Sequence, residues 1–158
     1  MFKRILVATD GSEGATKALK AAIELAAANK GALIVLNVFN PVETFAGRHS
    51  GDVEFARAEH LQGDYAEAQS LLSNDVLDAA KTLAAKRPAV AASFVSLDGD
   101  PADEILRYAN EIEADTIVMG RRGLGRWSSL ILGSVSQKVA NRARQTTVVV
   151  PNGADRAA

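Results

Sequence analysis

Residues 3–12 read KRILVATDGS, and this stretch decides the fold. Its first part is a short apolar run rich in β-branched residues, and it ends in Asp10-Gly11-Ser12, which favours a turn; together they predict a buried strand followed by a turn. The residues that follow carry alanine, leucine and isoleucine at helical spacing up to Lys30-Gly31, where a cation and a glycine favour a helix end. We therefore expect a helix with one apolar face, capped at its start by Ser12 or Asp10.

The same alternation continues to the end of the chain. Further apolar runs predict strands at residues 32–39, 91–97, 116–119 and 146–150. Helical periodicity between them predicts helices near residues 68–83, 101–112 and 135–143. Strands that alternate with helices of this length require right-handed crossovers and a parallel sheet. The fold class is therefore α/β: a single doubly wound, Rossmann-like five-stranded parallel sheet with helices on both faces, over residues 1–152, with a tail at 153–158.

Length and composition exclude several classes of protein. The chain has 158 residues, of which 47% are hydrophobic and 23% charged, which fits one globular domain. It has no cysteine, so disulfides, zinc ribbons, iron-sulfur centres and thiol catalysis are excluded, and a reducing, cytoplasmic location is expected. The formal net charge of -1 argues against bulk binding to nucleic acid or membrane. No run reaches signal-peptide or membrane-span length, so neither is expected.

Residues 40–65 show no convincing period and predict a long surface loop, with partial helical structure left open. Both histidines, His49 and His60, lie in it without cysteine partners or close spacing, so no metal site is expected there.

The segment richest in chemical information spans residues 120–136 and reads GRRGLGRWSSLILGSVS. Its glycines let backbone N–H groups converge on an anion, and the helix start after Gly133 offers unpaired donors. Ser134 and Ser136 add hydroxyl donors. Residues 116–153 include six basic residues and no acidic one, so a polyanion should favour this end of the sheet. If the first and fourth strands are neighbours, the Asp10 turn and this loop share one crevice at the switch in strand order.

Two common phosphate signatures are missing from the chain: it lacks the P-loop lysine pattern, and no dinucleotide glycine motif follows the first strand. Instead, the segment resembles the ATP-binding signature of the universal stress protein family: glycine, two residues, glycine, nine residues, then glycine and serine or threonine. Gly120, Gly123, Gly133 and Ser134 occupy the fixed positions. The resemblance covers nearly the whole chain, including residues 5–12, 35–38, 98–101 and 115–120.

This resemblance implies an adenine-nucleotide α-hydrolase-like fold and a set of ligand contacts. The adenine would lie against Ala8, Thr9, Asp10 and Val38. The ribose and phosphates would lie on Gly120, Arg121, Arg122, Gly123, Gly125, Gly133, Ser134, Val135 and Ser136. The ligand would be ATP, ADP or AMP, with Mg²⁺ held mainly by the phosphates. The family resemblance also implies a homodimer formed through the last strand, Thr146 to Val150. The Arg121-Arg122 pair is more basic than the small or polar pair often found there.

Three functions remain open at this point. The first is a nucleotide-dependent stress-response module with no catalytic residues, or with slow hydrolysis or self-phosphorylation at most. The second is a dimeric member of the branch that does not bind ATP, in which the glycines form only a strand-to-helix turn and Asp10 only a helix cap. The third is an enzyme that cleaves ATP between the α and β phosphates, although residues 10–14, DGSEG, match the Ser-Gly-Gly-x-Asp-Ser loop of such enzymes poorly.

Overall fold

The computed structural model describes residues 1–40, 62–121 and 132–151. Within these ranges, five strands alternate with four helices, as the periodicity predicts. They are β1 (Arg4–Ala8), α1 (Glu13–Asn29), β2 (Ala32–Phe39), α2 (Gln62–Ala84), β3 (Ala92–Asp98), α3 (Pro101–Glu111), β4 (Thr116–Gly120), α4 (Ser134–Arg142) and β5 (Thr146–Val150).

The predicted surface loop at 40–65 lies largely outside the described residues, from 41 to 61. The last four residues of this predicted loop are helical, because α2 already begins at Gln62. The start of this helix was obscured in the sequence by Gly63 and by the polar residues around it, which weaken the apolar period.

The five strands form one parallel sheet in the order β3-β2-β1-β4-β5. The chain builds outward from β1 to β3 on one side and then returns to place β4 and β5 on the other side. Val7 of β1 therefore pairs with Val35 of β2 and with Val118 of β4. The strand order reverses between β1 and β4, which confirms the doubly wound fold and makes these two strands neighbours.

Both faces of the sheet are buried, which explains why its inner strands read as nearly continuous apolar runs. One core contains Ile5 and Val7 of β1 together with residues of α1 and α2. The other contains Leu6 of β1 together with residues of α3 and α4. Successive side chains of a strand point to opposite faces, so a single strand contributes to both cores.

The structure shows which residues begin and end α1. Ser12 is its N-cap and accepts a hydrogen bond from the amide of Ala15, whereas Asp10 accepts one from the amide of Ser12. At the other end, Lys30 rather than Gly31 adopts the left-handed conformation, with φ of 51°. Gly31 is required for a different reason: a Cβ there would overlap the carbonyl oxygen of Phe2, so glycine allows the chain to pass close to β1.

Among the described helices, none is both long enough and apolar enough to cross a membrane.

Candidate ligand-binding site

The neighbouring strands β1 and β4 end at the same edge of the sheet, at Ala8 and Gly120. The chain leaves β1 through a turn in which Gly11 has a φ of +79°, a conformation that favours glycine. Strand order reverses here, and open α/β sheets bind their ligands at the carboxyl edge beside such a reversal; the region between the ends of β1 and β4 is called the crevice below. The predicted neighbouring of β1 and β4 is therefore confirmed, whereas residues 122–131 of the segment that follows β4 lie outside the described residues.

The β1 side of the crevice is fixed by buried polar contacts around Thr9. Thr9 is 7% exposed, its amide donates to the carbonyl of Leu36 at 2.9 Å, and its own carbonyl accepts a hydrogen bond from Asn37 Nδ2 at 2.8 Å. Asp10 follows and is half-buried. Ala8 and Val38 are also half-buried, and both pack toward the core that contains Leu6. The four residues predicted to face adenine thus lie on two adjacent strand ends.

Asn37 is the residue that sequence reasoning missed. It is 6% exposed, and its amide ties the end of β2 to the end of β1. Its signal was present, since it is the one polar residue in the run Ala32–Phe39, which is otherwise apolar. A polar side chain in a strand covered on both faces requires a partner, and here that partner is the carbonyl that precedes Asp10.

The β4 side of the crevice depends on a close approach between backbones. A Cβ on Gly120 would lie 2.7 Å from the carbonyl carbon of Gly14, in the first turn of α1. Gly120 is therefore required for the packing of α1 against the end of β4, whatever ligand the crevice receives.

Arg121 joins the elements around the crevice through its backbone. Its amide donates to the carbonyl of Val150 at 2.8 Å. Its carbonyl accepts hydrogen bonds from the amide of Gly133 and from Ser136 Oγ, both at 2.9 Å. Ser136 is 4% exposed, and its hydroxyl also lies 2.9 Å from the Gly133 carbonyl. This hydroxyl therefore joins the two ends of the glycine-rich segment. Its hydrogen is donated to backbone carbonyls, so the side chain is already engaged within the protein.

The N-terminus of α4 differs from those of α1 and α3. Ser12 caps α1 and Asp100 caps α3, each with a side-chain oxygen, whereas Gly133 begins α4 with no side-chain cap. The first intrahelical bond runs from Gln137 N to Gly133 O, so the amides of the first turn, at residues 134–136, have no intrahelical acceptor. Ser134 is exposed and Val135 half-buried. Such a terminus has the donors and the dipole that favour an anion.

Only some of the basic residues counted in residues 116–153 lie at the carboxyl edge of the sheet. Lys138 Nζ lies 3.6 Å from Asp100 Oδ2, at the N-cap of α3, and Arg142 Nη1 lies 2.6 Å from Asp103 Oδ1, in its first turn, so acidic residues at the start of α3 balance both cations. Arg142 ends α4, about 12 Å along the helix axis from Ser134, and Arg144 lies beyond it. Arg142 and Arg144 therefore add little to the attraction of a polyanion at the crevice, because α4 carries them toward the opposite edge of the sheet.

One carboxylate lies in the first turn of α1, beside the crevice. The hydrogen bond and charge of Lys17 hold the pKa of Glu13 below its ordinary value. The Glu13 charge is thus paired at neutral pH rather than directed toward an incoming anion.

Three predicted contacts, Arg122, Gly123 and Gly125, lie outside the described residues. In the part of the chain that the structure covers, no group of three or more histidine, aspartate or glutamate side chains is placed to hold a metal ion.

A doubly wound domain with an uncapped helix terminus at its switch point belongs to the broad class of α/β folds that bind ligands at this edge. The family follows from comparison with known proteins. The model of the universal stress protein family matches residues 1–151. The chain belongs to the universal stress protein family.

Individual relatives match along almost their full length. Universal stress protein YxiE of Bacillus subtilis (strain 168) is 33% identical over 150 residues, covering 95% of this chain and 99% of the relative. A universal stress protein of Thermus aquaticus, named for its position in the QAH/OAS sulfhydrylase 3'region, is 38% identical over 144 residues, covering 90% of this chain and 94% of the relative.

Solved structures share the fold. A universal stress protein in complex with cAMP has a TM-score of 0.67 and 28% identity, over 94% of this chain and 96% of that one. The universal stress protein of Archaeoglobus fulgidus in complex with dAMP has a TM-score of 0.66 and 20% identity, over 94% and 97% of the two chains.

Proposed function

We propose that this protein binds an adenine nucleotide in the crevice between β1 and β4 and acts as a nucleotide-dependent regulatory module in a stress response. The observation that carries the proposal is the uncapped start of α4 at Gly133, whose first-turn amides follow the glycine-rich segment at the carboxyl edge of the sheet. The relative with 28% identity that was solved with cAMP supports an adenine nucleotide as the ligand class.

In this arrangement the two sides of the crevice bind different parts of the nucleotide. The amides of residues 134–136 receive the phosphates, because a helix N-terminus stabilises negative charge. The strand ends at Ala8, Thr9, Asp10 and Val38 receive the base, with Asn37 holding the Thr9 carbonyl in place. Arg121, Arg122, Gly123 and Gly125 complete the phosphate side, and Mg²⁺ is held mainly by the phosphates of ATP.

Binding without efficient chemistry is the proposed mode of action. Bound nucleotide selects a conformation of the protein or its state of association with a partner. Arg121 and Gly133, on either side of the glycine-rich segment, are held together by the Ser136 hydroxyl. Hydrolysis or self-phosphorylation is at most slow. Both the cytoplasmic location and the choice of ATP over other adenine nucleotides belong to this proposal.

The proposal also includes a homodimer formed through β5. This strand is an edge of the sheet, and Val148, Val149 and Val150 are only half-buried. An exposed, apolar edge strand is a template for pairing with a second copy.

The proposed function is tested by titration calorimetry of the nucleotide-stripped protein with ATP and Mg²⁺, followed by product analysis of the same sample. We expect saturable binding with ATP left intact. Release of AMP and pyrophosphate would instead identify an α-hydrolase-type enzyme. Absence of both binding heat and thermal stabilisation would assign the chain to the branch that does not bind ATP.

A further inference from the structure

One ion pair joins the starts of α3 and α4. Lys138 Nζ lies 3.6 Å from Asp100 Oδ2, and the two side chains are 56% and 41% exposed. The other carboxylate oxygen of Asp100 accepts hydrogen bonds from the amides of Ala102 and Asp103, so it is held at the start of α3 whether or not Lys138 is present. An exposed ion pair of this length contributes little to stability, so Lys138 can exchange Asp100 for another anion at small cost.

This ion pair lies at the carboxyl edge of the sheet, above the crevice. The helix α3 begins just after the end of β3, and α4 begins after the segment that follows β4, so both helix starts project from this edge. Both helices cover the sheet face to which Ala8 and Val38 pack. Because α3 contacts β2 and β3 while α4 contacts β5, a link between their starts passes over the ends of the intervening strands, β1 and β4.

The position of Lys138 on α4 brings its ammonium group to the first-turn amides. Lys138 lies four residues after Ser134, and residues four apart share one face of a helix. Helical side chains tilt toward the N-terminus of their helix, so the lysine stem runs back toward Ser134. The rise between these two residues is about 6 Å, a distance that the four-carbon stem of lysine can span.

We propose that Lys138 binds the phosphate of the bound nucleotide and releases Asp100 when it does so. This inference rests on the proposed function and adds a cationic contact to the same site. A lysine ammonium group offers three donors and a full positive charge, which suit phosphate oxygens. The Asp100 carboxylate competes for this cation and repels the phosphate, so the two side chains should change nucleotide affinity in opposite directions.

The test compares AMP with adenosine, which lacks the phosphate. Both ligands are titrated by calorimetry against the full-length wild-type protein, Lys138→Met, Asp100→Asn and the double variant. Methionine retains an unbranched apolar stem, and asparagine caps a helix as well as aspartate does. Lys81→Met is the control, because Lys81 pairs with Asp78 on α2, covers the other face of the sheet and is 54% exposed, nearly as exposed as Lys138.

The two single variants should change AMP affinity in opposite directions. We expect Lys138→Met to weaken AMP binding about three- to tenfold, because a charge-assisted contact is lost. Asp100→Asn should strengthen it about two- to threefold, because the competing charge is removed. In the Asp100→Asn background, Lys138→Met should still weaken AMP binding, which separates a phosphate contact from neutralisation of Asp100. Adenosine affinity and the unfolding temperature without ligand should stay close to wild-type values.

Each other outcome overturns a different statement. Wild-type AMP affinity in Lys138→Met, or an equal loss for AMP and adenosine, refutes the phosphate contact and leaves the proposed function intact. A loss that disappears in the Asp100→Asn background shows that Lys138 only neutralises Asp100, and an equal loss in Lys81→Met shows a general effect of charge; both also refute the contact. If the wild type binds neither AMP nor ATP, the proposed function fails, and the contact fails with it.

Discussion

Gly120 and Gly14 meet backbone to backbone: a Cβ on Gly120 would lie 2.7 Å from the carbonyl carbon of Gly14 and 2.8 Å from its oxygen. The contact joins the end of β4 to the first turn of α1, and it brings the start of α1 to the crevice. Gly120, the first glycine of the family signature, therefore has a packing function that does not depend on any ligand.

Gly120→Ala should destabilise the fold. The added methyl meets backbone atoms, which cannot move aside as the end of a flexible side chain can, so we expect a loss of about 1–3 kcal/mol in the free energy of unfolding. Urea denaturation measures this loss. Gly133→Ala is the comparison variant, because it adds the same methyl at a position with φ of -67° and ψ of 160°, which any residue adopts, so its loss is limited to that of a poorer N-cap, at most about 1 kcal/mol. An unchanged urea midpoint for Gly120→Ala would show that α1 retreats from β4 without cost.

Gly133→Asp should strengthen the fold and weaken the binding of nucleotide. An N-cap carboxylate accepts hydrogen bonds from the first-turn amides and interacts favourably with the helix dipole, a gain of a few tenths to about 1 kcal/mol. The same carboxylate accepts hydrogen bonds from the amides proposed to bind phosphate, and its negative charge repels the phosphate. AMP affinity should therefore fall at least about tenfold, as expected when a charge-assisted hydrogen bond is lost.

The two readouts are unfolding temperature without ligand and calorimetric titration with AMP. Gly133→Ala adds no acceptor, so the difference between the aspartate and alanine variants isolates the competition for the amides. Equal AMP affinity in the aspartate variant and the wild type would remove the start of α4 from the proposed site.

Asp115 should supply an acid-sensitive part of the stability, far from the crevice. Its carboxylate accepts hydrogen bonds from the amides of Lys3 at 2.7 Å and Arg4 at 3.2 Å, and from Thr116 Oγ1 at 2.7 Å. Burial opposes its ionisation, but these hydrogen bonds and the charge of the N-terminal amino group outweigh it and hold the pKa of Asp115 below its ordinary value of 3.8. The stabilisation is therefore complete above that value and is lost as the pH falls through the lower, folded-state pKa.

Asp115→Asn should consequently be less stable than the wild type at pH 7, and the difference should shrink as the solution is acidified below the ordinary value. Urea unfolding at a series of pH values measures the difference. Asp75→Asn, on the exposed side of α2, is the control for loss of one negative charge. A difference that stays constant down to the lowest pH at which the protein folds would contradict this assignment.

Thr147→Pro should prevent pairing of β5 with a second copy while leaving the fold intact. Thr146 N donates to Asp115 O, and Val150 O accepts from Arg121 N, so alternate residues of β5 direct their backbone groups toward β4. The amide of Thr147 therefore points away from β4, and proline removes an outward donor only. Sedimentation analysis should show a dimer for the wild type and for Thr147→Ala, and a monomer for Thr147→Pro. A wild-type monomer, or a dimeric proline variant, would exclude this interface.

The element order could be predicted from sequence because it depends on local patterns, whereas the crevice also required β1 and β4 to be neighbours, which the strand order of the structure shows. Continuous apolar runs identified the strands, and the turn at Asp10 marked the end of the first one. By contrast, the role of Asn37 could not be predicted, because its partner, the Thr9 carbonyl, lies 28 residues away in sequence and meets it only once the strands pair. The pairing of the α4 cations could not be predicted for the same reason, because Lys138 and Arg142 meet acidic residues at the start of α3.

The sequence by itself determined which segments form strands and helices, that the sheet is parallel, and that glycines and a helix start follow β4. These properties depend on the periodicity of side chains and on the backbone preferences of individual residues. Only the tertiary structure decided that Gly120 serves the packing of α1 and that Ser136 joins the two ends of the glycine-rich segment. Those properties depend on contacts between segments far apart in the chain, and such contacts are fixed by packing rather than by local propensity.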